Sequence, residues 1–247
     1  MARIISFATG CVWSWDKSKN RDSLIEFIKN LEVDGVEITF SSKEELYSTH
    51  FSAQSLQWIK KLKHITIHAP FDLVQRANGE EEVIKQLEVI TRLYKQLNAQ
   101  NVIIHPQNLP APEILKKFEI KVSTENLAKK KGRRPMLATL SEILKRYPKI
   151  GLCLDVSHAY TWSPSETSKM VQALGNRITQ VHFSGTYRKK DHRSLRIVTN
   201  RFKKSIQPIF KLSCPIVIEE NIAKQNPKFL TEEVEYIKKI FKTYGAN

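Results

Sequence analysis

The chain has 247 residues, of which 41% are hydrophobic and 26% are charged. This composition is ordinary for a folded protein and excludes the collagen-like, disulfide-scaffold and intrinsically disordered classes. No run of roughly 18 apolar residues occurs, so the sequence predicts no membrane span. The 40 lysines and arginines outnumber the 25 acidic residues, and the net charge of +15 favours polyanionic partners such as nucleic acid, or anionic substrates.

Cysteine usage and the N-terminal segment bear on the cellular compartment. Cys11, Cys153 and Cys214 form no Cys-x-x-Cys pair, and their odd number argues against a disulfide framework. Cys153 lies within an apolar strand pattern, where we expect a buried, inert thiol. The first residues are too quickly polar for a signal peptide, so we expect a reducing, cytoplasmic location.

Eight short apolar segments rich in Ile and Val alternate with amphipathic stretches along the whole chain. Such segments are typical of buried parallel strands. The predicted strands are Arg3–Ala8, Gly35–Phe40, Ile65–His68, Asn101–His105, Ile120–Glu125, Ile150–Asp155, Ile178–Phe183 and Pro215–Glu219.

Helical periodicity fills the intervals between these strands, most clearly over Glu80–Leu97. An earlier helix opens at Ser23, with Asp22 or Ser23 as its N-cap. The other predicted helices cover 136–147, 165–174, 201–211 and 231–244. Eight strand–helix units predict an α/β fold of the (β/α)8 TIM-barrel type, and we expect a single domain over residues 1–247. A doubly wound open sheet is the competing architecture, but no G-x-G-x-x-G motif follows a strand.

Six consecutive predicted strands, from the third to the eighth, end in or near a side chain that binds metal ions in proteins. These side chains are His68, His105, Glu125, Asp155, His182 and Glu219, and His158 follows Asp155 by three residues. Any one of them alone would usually be a hydrogen-bonded core histidine or a helix N-cap. Parallel barrel strands all point the same way, so we expect the six to converge at the C-terminal mouth, where barrel enzymes hold their chemistry.

A shared cavity for these side chains implies a cation. Several carboxylates buried together repel one another strongly in a medium of low dielectric constant, unless positive charge lies among them. Mixed imidazole and carboxylate ligands suit zinc, manganese or iron and argue against a structural thiolate site. The sequence therefore predicts a site for divalent metal, with zinc as the first expectation and manganese as the alternative.

The order of these residues resembles that of the xylose isomerase-like TIM-barrel superfamily. The motifs that carry the resemblance are His68-Ala69-Pro70, His105-Pro106, Glu125-Asn126, Asp155-x-x-His158, His182 and Glu219. They span nearly the whole chain. The superfamily includes abasic-site nucleases of the endonuclease IV type as well as sugar isomerases and epimerases. These motifs do not separate its branches, although the ligand pattern is closest to the nuclease branch.

The resemblance implies a metal centre with up to three ions. One ion, common to both branches, would have the ligands Glu125, Asp155, His182 and Glu219. The nuclease branch adds a second ion, which would share Glu125 and take His68 and His105 as further ligands.

The resemblance leaves a third ion in question. In the nuclease branch, this ion is held by the equivalent of His158 and by an Asp-x-His pair after the seventh strand. Here the segment reads Lys190-Asp191-His192. His192 matches the family histidine, but Lys190 stands where the carboxylate is expected and Asp191 is displaced by one residue. The expected number of ions is therefore one to three, with Asp191 as a ligand only if the backbone shifts locally.

The first functional hypothesis, implied by the resemblance, is a metal-dependent phosphodiesterase that cleaves DNA at abasic sites. Two ions would lower the pKa of a bridging water and neutralise charge on the phosphoryl oxygens, with Glu125 as their shared ligand. Phe71 matches an aromatic residue that the nuclease branch wedges into DNA, although packing at the barrel rim is an equal alternative. Basic runs follow the fifth and seventh strands, and Lys129, Lys130 and Arg188 would either line a phosphate track or form solvated loops.

The second hypothesis is a sugar or sugar-phosphate isomerase or epimerase with one metal ion. Glu125 and Glu219 would transfer protons, and His158 would hold a substrate hydroxyl. Arg188 matches a substrate-binding arginine of the epimerase branch. Aromatic residues in the loops after the first and sixth strands could form the wall of a sugar-binding pocket, although such residues more commonly pack against the barrel rim. These residues are Trp13, Trp15, Tyr160 and Trp162.

The third hypothesis is a non-catalytic barrel that binds nucleic acid or a partner through its basic surface, which would not require the ligands to converge. The histidines of the second ion and the net charge favour the nuclease. The short acidic loop over 39–45 and the scarcity of small residues after Glu125-Asn126 count against it. We therefore expect DNA with abasic sites as the partner, with a sugar or sugar phosphate as the alternative. The sequence leaves the oligomeric state open.

Overall fold

The computed structural model describes residues 3–223 and 227–244. Ten strands lie in this part of the chain: β1 (Ile5–Ala8), β2 (Gly35–Thr39), β3 (His64–His68), β4 (Asn101–Ile104), β5 (Val122–Glu125), β6 (Gly151–Asp155), β7 (Ile178–Phe183), β8 (Gly185–Tyr187), β9 (Lys190–Arg193) and β10 (Ile216–Ile218). Eight of them, all except β8 and β9, close into a parallel barrel in chain order, and β10 pairs with β1. The (β/α)8 TIM barrel predicted from the sequence is confirmed.

Helices cover the outside of the barrel between the strands. The α-helices of the described residues are α1 (Arg21–Ile28), α2 (Lys43–Tyr47), α3 (Ala53–Ile59), α4 (Glu80–Leu97), α5 (Pro112–Leu115), α6 (Met136–Arg146), α7 (Val156–Trp162), α8 (Glu166–Leu174), α9 (Asn200–Ser205) and α10 (Lys228–Tyr244). The predicted N-cap of α1 is wrong. Asn20 caps this helix instead, because its side-chain oxygen accepts the backbone N–H groups of Asp22 and Ser23.

Two layers of apolar side chains hold the strands and helices together. The strands are buried on both faces, as in β4, where no residue is exposed. The helices add apolar stripes such as Leu87 and Leu97 of α4, each fully buried. At the N-terminal end of the barrel, β2 and β3 approach so closely that a Cβ on Gly35 would lie 2.1 Å from the carbonyl oxygen of His64. Glycine at this position therefore allows the barrel to close.

A separate antiparallel hairpin, β8–β9, follows β7 at the C-terminal mouth. Gly185 pairs with Arg193 and Tyr187 pairs with Lys190, so one residue of β8 faces two of β9 in a β-bulge. The sequence predicted only a basic loop here. Among the described residues, no helix is both long and apolar enough to cross a bilayer.

Candidate metal centre

The side chains predicted as ligands come together at the C-terminal mouth of the barrel. His68, Glu125 and Asp155 are the last residues of β3, β5 and β6. His105 and Glu219 directly follow β4 and β10. Because the barrel strands are parallel and in register, these strand ends form one ring. Three further histidines join it: His158 from α7, His182 from β7 and His192 from β9.

Three overlapping sets of side chains have the spacing of metal sites. In each, the candidate ligand atoms lie within 4.8 Å of one another. The first group is His68, His105 and Glu125; the central group is Glu125, Asp155, His182 and Glu219; the third group is Asp155, His158 and His192. Glu125 belongs to two groups, and so does Asp155. The two shared carboxylates therefore link the three groups into one continuous cluster.

Glu125 lies at the centre of this cluster and is almost fully buried. Its Oε2 atom is 3.2 Å from His68 Nε2 and 3.3 Å from His105 Nε2. Its Oε1 atom is 3.2 Å from His182 Nδ1. The two carboxylate oxygens thus face different groups, which is the arrangement of a bridging ligand.

The central group contains carboxylate oxygens without hydrogen-bond donors among the described residues. Asp155 Oδ2 is buried and accepts no hydrogen bond. Glu219 Oε2 lies 2.9 Å from His182 Nδ1 but lacks hydrogen-bond geometry. Leaving buried carboxylate oxygens unpaired is costly, and a cation would satisfy both. The donor set therefore fits a divalent metal ion.

Backbone carbonyls orient the imidazole rings of the third group. His158 Nδ1–H donates to the carbonyl of Asn126, and His192 Nδ1–H donates to the carbonyl of Glu219, both at 2.9 Å. A carbonyl only accepts, so the Nδ1 proton is fixed and both Nε2 atoms turn toward each other at 2.9 Å. If both rings were neutral, the lone pairs of their two Nε2 atoms would face and repel each other. A proton or a metal ion must therefore lie between them.

Asp191 reaches the third group in spite of its displacement in the sequence. Successive strand residues normally point to opposite faces, but His192 adopts a left-handed conformation with φ of 50° at the β-bulge. In this hairpin, Asp191 Oδ2 lies 3.7 Å from His158 Nε2. Lys190, by contrast, is exposed at the start of β9. The carboxylate of Asp191 therefore lies beside the third group, and its role as a ligand stays a prediction.

The electrostatics of the cluster favour positive charge. Burial alone would lower the pKa of His158, but Asp155 and Glu125 raise it to about 10. Burial likewise opposes the charge of Glu219, yet the neighbouring His182 lowers its pKa to about 2. Burial opposes the charge of His182 as well, but its neighbours Cys153, Glu219, Glu37 and Glu125 hold its pKa well above the usual value. Protons therefore balance the carboxylates when no metal is bound, and metal ions would have to displace them.

Residues that the sequence analysis did not assign complete the site. Asn126 holds Asp155 in a two-way pair of hydrogen bonds, each 2.8 Å, between its side-chain amide and the Asp155 backbone. Glu37 of β2 and Gln180 of β7 contact Nε2 of His182, the ring nitrogen that faces away from the central group. Glu37 is fully buried. An acidic residue inside an otherwise apolar strand is the signal that identifies Glu37 in the sequence.

Aromatic residues line one side of the mouth. The Phe71 ring stacks on His105 with centroids 5.1 Å apart and an interplanar angle of 7°. Trp13 packs edge-on against Phe71 at 5.8 Å. The expectation that Trp15 contacts a substrate is wrong. Trp15 is only 4% exposed, packs on Phe27 and donates its indole N–H to the carbonyl of Ile222, so it belongs to the core.

The remaining predicted contact residues lie around the rim. Tyr160 is half-buried and packs on Phe202 of α9, within the helical layer. Trp162 is half-buried and donates its indole N–H to the carbonyl of Leu127. The other three are basic and exposed: Lys129 and Lys130 follow β5, and Arg188 is at the turn of the β8–β9 hairpin. Their roles toward a substrate stay predictions.

The chain has a TIM-barrel fold, and solved structures that include an epimerase-like protein, an endonuclease IV and a xylose isomerase domain-containing protein share this fold. No family model matches the sequence, and no curated protein matches it. A D-tagatose 3-epimerase-like protein is 18% identical over 97% of this chain and 98% of its own, with a TM-score of 0.69. Endonuclease IV from Thermus thermophilus is 19% identical over 98% of each chain, with a TM-score of 0.64. The TTHB071 protein of the same organism, soaked with ZnCl2, is 15% identical over 100% of each chain, also at 0.64.

Proposed function

We propose that this protein is a metal-dependent phosphodiesterase of the endonuclease IV type, which cleaves DNA at abasic sites. The observation that carries the proposal is the linkage of three candidate ligand groups through Glu125 and Asp155. An isomerase of this fold would need only the ion of the central group, with His158 of the third group holding a substrate hydroxyl. The first group and the rest of the third would then have no catalytic use, whereas hydrolysis of a phosphodiester uses adjacent ions that share ligands.

The ligand roles in this proposal follow from the orientation of each ring. His68 donates its Nδ1–H to the carbonyl of Ala69 at 2.9 Å, which leaves Nε2 for the ion of the first group together with His105. Glu125 would bridge this ion to the central one. The bound ions would supply an activated water and neutralise charge on the phosphate. The barrel positions five of these ligands, because His68, His105, Glu125, Asp155 and Glu219 lie at or directly after strand ends.

The third ion would be held by His158, His192 and Asp191. The facing Nε2 atoms and the nearby Asp191 carboxylate support this assignment. Zinc is the proposed metal and manganese the alternative, because both accept mixed imidazole and carboxylate ligands. The ZnCl2-soaked structure of similar fold is consistent with zinc.

Rim residues would contact the DNA. Phe71 lies over the first group, where an aromatic ring could enter the gap left by a missing base. Lys129, Lys130 and Arg188 would contact backbone phosphates. The acidic loop after β2 does not oppose this, because Glu45 is paired with Lys19 and Arg21 at 2.8 Å each. The three buried or partly buried cysteines are free thiols, and we retain a cytoplasmic location as part of the proposal.

The second candidate function is a sugar or sugar-phosphate isomerase or epimerase. The observation that favours it is the pair of carboxylates that face Nδ1 of His182, Glu125 and Glu219, which would exchange a proton with a bound sugar. Arg188 would then bind the substrate. In this case only the central group would hold an ion.

A nicking assay tests the proposed function. A labelled duplex with one tetrahydrofuran abasic analogue is incubated with zinc- or manganese-loaded protein. The proposal predicts cleavage on the 5′ side of the lesion and none in the undamaged duplex. Glu219→Gln should lose the activity, whereas Glu119→Gln, which changes an exposed carboxylate, should keep it. Intact abasic duplex with both metals, together with interconversion of ketoses, would overturn the proposal in favour of the isomerase.

A further inference from the structure

Glu37 occupies a position in the barrel interior that neither candidate function assigns. It lies in the middle of β2 and has no exposed surface. Its two carboxylate oxygens are 3.1 Å and 3.3 Å from His182 Nε2. This is the opposite side of the imidazole ring from Nδ1, which faces Glu125 and Glu219 of the central group.

Side chains from β3, which pairs with β2, and from β7, which does not, hold the Glu37 carboxylate in place. Thr66 of β3 donates its hydroxyl to Glu37 Oε2 at 2.8 Å, and Gln180 of β7 donates its side-chain amide to the same oxygen at 2.8 Å. The same amide nitrogen of Gln180 lies 3.1 Å from His182 Nε2. Oε1, although 3.1 Å from His182 Nε2, lacks hydrogen-bond geometry and has no hydrogen-bond partner among the described residues. The carboxylate is therefore fixed at Oε2, which also faces His182 Nε2 within hydrogen-bond distance.

The charge of Glu37 determines which nitrogen of His182 is available to a metal ion. A carboxylate only accepts hydrogen bonds, so it requires a proton on Nε2. The neutral ring then has its lone pair on Nδ1, which points into the central group. We infer that Glu37 is a positioning residue that holds His182 with Nε2 protonated and Nδ1 aimed at the central ion. The inference rests on the metal centre of the proposed function but not on its substrate.

A packing role alone would not require a carboxylate at this position. Glutamine has nearly the same shape and could still accept from Thr66 and Gln180 through its oxygen. Its NH2 group would then face His182 Nε2 and stabilise the ring with the proton on Nδ1. That tautomer cannot bind the central ion. Glu37→Gln should therefore weaken metal binding although it preserves the volume of the side chain.

The test compares zinc binding by wild type, Glu37→Gln, Glu37→Asp and Thr66→Val, measured by competition with a chromophoric chelator. Thr66→Val is the matched control, because it removes a hydrogen bond from the same buried site without touching His182. We expect Glu37→Gln to lower the affinity for the central zinc ion by roughly 10- to 100-fold, the usual effect of removing such a partner from a metal-binding histidine. Glu37→Asp keeps the charge but moves it away from Nε2, so its zinc affinity should lie between those of wild type and Glu37→Gln. Thr66→Val should stay within about threefold of wild type.

A spectroscopic signature separates positioning from structural damage. In zinc-loaded wild type, 15N-labelled histidine should show a hydrogen-bonded Nε2–H on His182, and Glu37→Gln should lose this signal.

Unchanged zinc affinity in Glu37→Gln, or an equal loss of affinity in Thr66→Val, would overturn the inference. If wild type binds zinc but leaves abasic DNA intact, the proposed function fails while the affinity comparison still decides the role of Glu37. If wild type binds no divalent metal, both fail.

Discussion

Replacing Glu125 with glutamine tests the bridging role most sharply. The substitution keeps the side-chain volume and removes the one charge that faces both the first and the central group. Two unit charges about 4 Å apart interact by about 4 kcal/mol at an effective dielectric constant of about 20. Even half of this value corresponds to roughly 30-fold weaker binding, and the full value to roughly 1,000-fold. We therefore expect Glu125→Gln to weaken zinc at both groups by a factor within this range.

The assay is zinc titration against a competing chelator, followed by elemental analysis after dialysis. Glu119→Gln serves as the control, because this carboxylate is 87% exposed and pairs only with Lys95 among the described residues. Glu125→Gln should retain fewer ions per chain than wild type, while Glu119→Gln retains the same number. Full metal content and unchanged affinity in Glu125→Gln would refute the claim that Glu125 bridges two ions.

Three further predictions follow from the same geometry. Zinc binding near neutral pH should release protons, because the pKa of His158 is about 10 without metal; titration enthalpies that do not vary with the buffer would contradict this. Asp191→Asn should lower the zinc content by one ion per chain, whereas Lys190→Ala should not, and elemental analysis distinguishes the two. Replacing Lys129 and Lys130 with glutamine should reduce the salt dependence of binding to abasic duplex by about two units of log–log slope; an unchanged slope would exclude these lysines from the DNA contact.

The barrel and the ring of ligands could be predicted from the sequence because both depend on local patterns. Each parallel strand is a short apolar run, and the residue at its end must lie at the mouth once the barrel closes. His68, Glu125 and Asp155 therefore fall where their strand ends place them. The helix α4 was predicted with its observed bounds for the same reason, since its apolar residues recur with helical period.

The β8–β9 hairpin could not be predicted, because its turn lacks the usual residues. Arg188 and Lys189 both adopt positive φ, at 48° and 64°, where Gly or Asn is normally found. The bulge at His192, which brings Asp191 to the third group, depends on this hairpin. The burial of Trp15 could not be predicted either. The orientation of its side chain depends on a hydrogen bond to the carbonyl of Ile222, which is 207 residues away in the sequence.

Anomalous diffraction from crystals of the zinc-loaded protein, measured at the zinc absorption edge, would locate each bound ion. We expect three peaks at the barrel mouth, one in each of the first, central and third groups, with Glu125 between the first two and Asp191 beside the third. A single peak in the central group would contradict the three-ion site and favour the isomerase. No peak at the mouth would contradict the metal centre itself.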